Sequence, residues 1–186
     1  MAPPIYYIAR GFMFVLSSMI AKKLNYLFIP ILMFSVANTS LATEDEKMKI
    51  LEKNRNTVTR YFEEVWNQGK LDVLDEILSP EYINHSPGFE NPKPGSEGLK
   101  PIVSAIRNGF PDLKYIIEKL IVTDDYVAVY VTMTGTHTGV FFGIEPTGRK
   151  IEVHQMQFER IVDGKMIEHW RVTDDLSMMR QLDQIK

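Results

Sequence analysis

From residue 43 onward the apolar positions follow first a helical period and then a strand period. Leu51, Val58, Phe62 and Val65 recur at spacings of seven, four and three, one stripe of an amphipathic helix. Thr43-Glu44-Asp45-Glu46 reads as a capping box, with Thr43 as N-cap and Glu46 reaching back, and Gly69 ends the helix. A short second helix, residues 71–78, puts Leu71, Leu74 and Leu78 on one side and stops at Ser79-Pro80. A loop rich in Pro and Gly runs from His85 to Gly95. The third helix carries Leu99, Ile102, Val103 and Ile106, with Pro101 in its first turn, and ends before Phe110-Pro111.

Beyond Pro111 the period becomes 2. Residues 114–123 form a strand that turns at Asp124-Asp125, and residues 126–138 alternate cleanly. Val127, Val129, Val131 and Met133 take one face of that strand, Tyr130, Thr132, Thr134 and Thr136 the other. Residues 151–162 make a third strand, and Asp163-Gly164 is a hairpin turn into a fourth, residues 165–173. In the third strand the apolar phase slips from Ile151 and Val153 to Met156 and Phe158, which predicts a β-bulge near His154. A final helix covers residues 175–182. A bulged antiparallel sheet with helices in its hollow is a cup, so the fold class is α+β.

Upstream of residue 43 the pattern is of another kind. Lys22-Lys23 precede an apolar run from Leu24 to Val36, and Ser40-Leu41-Ala42 follow as a small-x-small site. This predicts a secretory signal cleaved after Ala42. The run is shorter than the roughly 20 apolar residues a spanning helix needs and holds Pro30, so no stable membrane anchor is expected. A second apolar stretch, Ile5 to Val15, leaves Met1, Met13 and Met19 as candidate starts. Residues 1–42 are therefore read as a leader and 43–186 as one domain, periplasmic or secreted.

Composition narrows the functions. With 45% hydrophobic and 24% charged residues the chain is an ordinary globular one. Its net charge of -3 and lack of a basic stripe argue against nucleic acid. The absence of cysteine removes disulfides, thiolate nucleophiles and cysteine-ligated zinc. Four histidines are present, but no HExxH or similar spacing predicts a metal site. Nor is there a GxSxG, a Walker loop or a GxGxxG in a βαβ setting.

Two ionisable residues continue the apolar phase of their strands. His137 follows Val127, Val129, Val131, Met133 and Gly135; Asp174 follows Met166, Trp170 and Val172. If those faces line the cup, desolvation raises the carboxylate's pKa toward the range useful for acid/base chemistry. Against this stands the reading of Asp174 as the N-cap of the last helix. Glu168 is expected to be solvated or paired, and His169 and Arg171 to face outward. His85 lies in a loop and His154 at the expected bulge. Gly135, Gly139, Gly143 and Gly148 read as turn glycines around Phe141-Phe142, a cavity lip or subunit contact. Tyr61, Phe62, Trp66, Phe110, Phe158 and Trp170 read as core, some of them facing a pocket.

Three segments in order carry a resemblance: VWNQGKLDVLDEILSPEYINHSPG, GFPDLKYIIEKLIVTDDYVAVYVTMTGTHTG and FERIVDGKMIEHWRVTDDLSMMRQL. From about Met48 to Leu182 the chain resembles the SnoaL-like polyketide (ester) cyclases of the nuclear-transport-factor-like superfamily. The GxHxG around His137 and the DGKxxEHWxxxDxxxxxRQL stretch are its most specific parts. The resemblance implies a cone-shaped barrel of curved antiparallel sheet with three N-terminal helices packed in its hollow. It implies that Asp174 is the general acid/base of an intramolecular aldol closure, with His137 hydrogen-bonding the enolate. His85 and His154 would border the pocket, with Gln157, Phe62, Trp66 and Trp170 on its wall, and Gln157 standing where those cyclases carry a second histidine. No metal or organic cofactor is implied.

The expected activity is cofactor-free cyclisation or isomerisation of a small, apolar, carbonyl-containing molecule by a lyase or isomerase. The alternative is a non-catalytic binding module of the same fold. Members of the superfamily pair through the sheet, which predicts a homodimer.

Overall fold

The computed structural model describes residues 43–86 and 93–185. The leader and cleavage site expected in residues 1–42, and part of the loop expected after His85, lie outside them. Among the described residues no helix is long and apolar enough to cross a membrane. The chain divides into two compact units, residues 1–47 and 48–186, and the second holds the sheet and core.

Helix α1 (residues 43–60) runs into a π-helical segment, Tyr61–Asn67. Thr43 is already helical rather than an N-cap. The wider π turn buries two adjacent pairs, Tyr61-Phe62 and Val65-Trp66, in one stretch. Gly69, at φ +72, ends the run, and its N–H and that of Lys70 bond back to Val65 and Glu64 at 3.0 Å. Helix α1 also fixes both hairpin turns. Asn54 donates to the Thr123 and Asp124 carbonyls (3.1 and 2.9 Å), and Thr57 to that of Gly164 (2.7 Å).

Helix α2 (Val73–Ile77) leads directly into strand β1 (Leu78–Asn84), then α3 (Ser96–Gly109) follows. Strand β1 was missed by the apolar pattern because Ser79-Pro80-Glu81 breaks its alternation; an edge strand tolerates such a proline. Pro101 sits at the sixth residue of α3, one turn further in than expected. The buried face of α3 is Leu99, Ile102, Val103 and Ile106, as the spacing predicts.

Strands β2 (Lys114–Val122), β3 (Tyr126–Thr136), β4 (Lys150–Val162) and β5 (Lys165–Thr173) form a meander, closed by α4 (Asp175–Gln181). The sheet order is β1-β5-β4-β3-β2. The meander is antiparallel, but β1 adds to β5 in parallel, so the sheet is mixed rather than wholly antiparallel. Asp163 and Gly164, at φ 51 and 74, make the left-handed pair of the β4–β5 turn.

The bulge expected near His154 is absent. Strand β4 pairs with β3 without interruption from Tyr126↔Arg160 to Thr136↔Lys150 and alternates perfectly in burial. The irregularities lie in its neighbours: Glu118 is the extra residue of β2, Ile167 that of β5. The second of these decides the site. Ahead of Ile167 the inward residue of β5 is Met166; beyond it the inward set becomes His169, Arg171 and Thr173, while Trp170, Val172 and Asp174 turn out.

Candidate active site

The inner face of β4 carries Ile151 and Val153, then Gln155, Gln157 and Glu159, then Ile161, all buried. Met156 and Phe158, taken from the sequence as interior, are on the outer face, 45% and 48% exposed. Opposite the three polar residues the shifted register of β5 sets Thr173, Arg171 and His169. Three polar cross-strand pairs thus descend into an otherwise apolar core: Gln155↔Thr173, Gln157↔Arg171 and Glu159↔His169.

The deepest pair is ionisable. His169 Nδ1 lies 2.9 and 3.0 Å from the two carboxylate oxygens of Glu159, with no exposure at Glu159. Burial holds the Glu159 carboxyl above its usual range, and His169 and Arg171 only partly offset this. Neither His169 nor Arg171 faces outward as expected; the bulge at Ile167 reverses both. In the middle, Gln157 Nε2 donates to Gln155 Oε1 at 2.7 Å, while Gln157 Oε1 has no partner.

The ladder opens into a cleft of about 60 Å³ lined by Tyr115, Gln155, Arg171, Thr173 and Asp175. Ile106, Met133, Phe141 and Phe142 give it an apolar wall, so the two phenylalanines are its lip. Tyr115 is buried and donates its hydroxyl to Met133 Sδ at 3.3 Å. The Thr173 hydroxyl is buried without a partner. The Gln155 amide donates to the Met133 sulfur at 3.5 Å and also interacts with the Tyr115 hydroxyl.

Asp174 is exposed and caps α4: one carboxylate oxygen accepts the Ser177 N–H at 3.0 Å. Its inward phase is overturned by the β5 bulge, though the residues on either side of it, Thr173 and Asp175, both line the cleft. His137 does continue the apolar phase of β3 and is fully buried. The Thr147 backbone N–H donates to His137 Nδ1 (3.2 Å), so the proton of the neutral ring sits on Nε2, which has no partner. Burial lowers this pKa. The ring packs on Phe110 and Phe141, at 5.2 and 6.2 Å.

The structure does not bring Asp174 and His137 together. Asp174 bonds to His154 on β4 and His137 to Arg149 just ahead of β4, about 16 Å apart at the usual strand rise. The glycines of GxHxG explain the motif structurally: a Cβ on Gly135 would press on Phe110, and one on Gly139 would run into the Asn108 carbonyl oxygen.

The other expected pocket residues divide in two. Phe62, Trp66 and Gln157 are buried inside, the first two packed around Tyr115 at 5.5 and 5.4 Å. Trp170, His85 and His154 are outside. Trp170 stacks on His85 (4.6 Å), which pairs with Glu168 (3.1 Å), itself bound to Arg160 (2.7 Å). His154 stacks on Tyr130 and bonds to the Thr132 hydroxyl. Among the described residues no cluster of three or more His, Asp or Glu is arranged to hold a metal.

A curved five-stranded sheet with helices packed against it and a polar-lined cleft belongs to the cone-shaped class of the nuclear-transport-factor-like proteins. Residues 56–182 match the model of the SnoaL-like polyketide cyclases, and the chain belongs to that family. It is 29% identical over 118 residues to nogalonic acid methyl ester cyclase of Streptomyces nogalater, covering 63% of this chain and 88% of that protein. It is 30% identical to aklanonic acid methyl ester cyclase DnrD of Streptomyces peucetius, covering 68% and 89%. Among solved structures, a SnoaL-like protein of Jannaschia sp. CCS1 superposes with a TM-score of 0.65 at 30% identity, covering 74% and 96%.

Proposed function

We propose that the protein is an exported, cofactor-free cyclase or isomerase acting on a small apolar molecule that carries a carbonyl group. The observation that carries this reading is the cleft, in which an apolar wall meets underused donors beside a carboxylate rim. Asp174, whose neighbours Thr173 and Asp175 line the cleft and whose carboxylate accepts the Ser177 N–H, would act as the base that takes the acidic α-proton. The Gln155 amide, which lines the cleft and whose hydrogen bond to the Met133 sulfur is long, would donate to the enolate oxygen. The exposed Phe142 side chain stands at the lip of this cleft of about 60 Å³.

Proton exchange tests this directly. Incubation of the protein with carbonyl compounds in heavy water should place deuterium at the α-carbon, and Asp174→Asn should abolish exchange while leaving binding intact. Exchange unaffected in Asp174→Asn but lost in Asp175→Asn would move the base to the neighbouring residue. Binding without exchange in the parent protein would favour the binding module.

The outer sheet face is proposed as the seat of a homodimer. Met156, Phe158 and Val172 are 45%, 48% and 74% exposed, and they adjoin one another through the β4–β5 pairs.

A further inference from the structure

Arg171 lines the cleft half-buried, with no carboxylate at ion-pair distance among the described residues. Among the described residues its guanidinium has one long hydrogen bond, from Nη2 to the Ser86 carbonyl at 3.5 Å. Glu159, the buried acid whose field reaches it, is already engaged by His169 at 2.9 Å. Beside it the Thr173 hydroxyl, buried in the same cleft, has no partner, and neither does Oε1 of Gln157, which faces Arg171 across the strands. Buried polar groups are ordinarily satisfied. An underused guanidinium and an idle hydroxyl on one wall describe a site that its ligand completes.

The charge selects the ligand. A cation would be repelled, and a neutral carbonyl would occupy Thr173 while leaving the guanidinium fork unmatched. A carboxylate satisfies both, taking two parallel N–H donors from arginine and the threonine proton. The cleft-lining Asp175 would repel such a head group, directing it inward, since Arg171 lies one pair deeper in the ladder than Thr173.

We propose that Arg171 and Thr173 form a subsite for the carboxylate of the substrate, which is therefore a small keto acid in free-acid form. This rests on the cleft being the substrate site proposed above, and it departs from the relatives whose names specify a methyl ester.

The test compares 2-acetylbenzoate with methyl 2-acetylbenzoate by titration calorimetry on the full chain, with deuterium entry into the acetyl group followed in parallel. The acid should bind at least about tenfold more tightly, the usual worth of a charge-assisted hydrogen bond. Arg171→Gln should erase that preference, the acid losing far more affinity than the ester. Thr173→Val removes a hydroxyl that has no partner, so it should fold like the parent and lose several-fold in acid affinity alone. Equal binding of acid and ester, binding of neither at millimolar concentration, or a preference that survives Arg171→Gln overturns the subsite. Acid preference without exchange upholds the subsite and defeats the catalytic reading; exchange without preference does the reverse.

Discussion

Glu159 and His169 face each other across β4 and β5 in the core, carboxylate to Nδ1 at 2.9 Å, and neither reaches solvent to any useful extent. Burial of two ionisable groups is stabilising only while each has its partner. Removing the carboxylate by Glu159→Ala strands His169 and should cost about 3 kcal/mol or more, read as a lower urea midpoint. The pair also has a pH signature. Glu159 titrates above its usual 4.5 in the folded state because of burial, so the folded chain binds more protons than the unfolded one just above that pH. Stability should therefore fall as pH rises from about 4.5 through the folded pKa, and Glu159→Gln should flatten that fall. An unchanged pH slope in Glu159→Gln would show that the carboxyl titrates normally.

His137 supplies the opposite slope. Its pKa lies below the usual 6.5 because the ring is buried, and a backbone hydrogen bond at Gly139 only partly offsets this. As pH falls below 6.5 the unfolded chain takes a proton that the folded chain refuses, so stability drops toward acid. His137→Asn should lose part of this drop, measured as urea midpoints at pH 5 and pH 7.5. A parallel drop in the variant would assign the acid sensitivity to another group.

Most of the frame was legible in the sequence, and the site was not, for one physical reason. The helices and β2 to β5 follow apolar periods of 3.6 and 2, because hydrophobic burial sets those periods. A polar-lined cup violates the rule that apolar residues face in. Gln155, Gln157 and Glu159 occupy the inner face of β4, so the apolar pattern assigned Met156 and Phe158 to the interior and inferred a bulge to reconcile them. The real bulge, at Ile167, is flanked by residues that fit either face. Counting pairs back from Asp163-Gly164 without it sets Glu159 against Glu168. The like charges of that false pair, against the complementary charges of Glu159 and His169, were the available signal. Asp174 followed the same error and emerged as a helix cap, whereas His137, directly after the unbulged β3, keeps the buried phase its spacing predicts.

The outer face offers a test of assembly. Phe158 sits at its middle, paired with Trp170 on β5 and half-exposed. If a second copy covers it, Phe158→Glu should yield monomers of unchanged circular dichroism, because the side chain is not part of the core. Sedimentation of the parent protein as a monomer at micromolar concentration would rule out the dimer.

Gly139 tests whether the GxHxG segment is built for packing. The N–H groups of Thr138 and Gly139 both donate to the Gly109 carbonyl, at 3.0 and 3.1 Å, drawing the end of β3 against the end of α3. At that approach a methyl group on residue 139 meets the Asn108 carbonyl oxygen, which is backbone and cannot rotate away. Gly139→Ala should therefore cost about 2 kcal/mol, within the 1–3 kcal/mol usual for overpacking. The two N–H groups should also lose protection in hydrogen exchange. Gly143 provides the control: a Cβ there meets nothing within 4 Å, but its φ of +79 makes alanine strained on backbone grounds alone. A Gly139→Ala protein as stable as its parent would mean that the α3 end gives way easily. The glycine would then have to be explained by the neighbouring His137 rather than by the close approach.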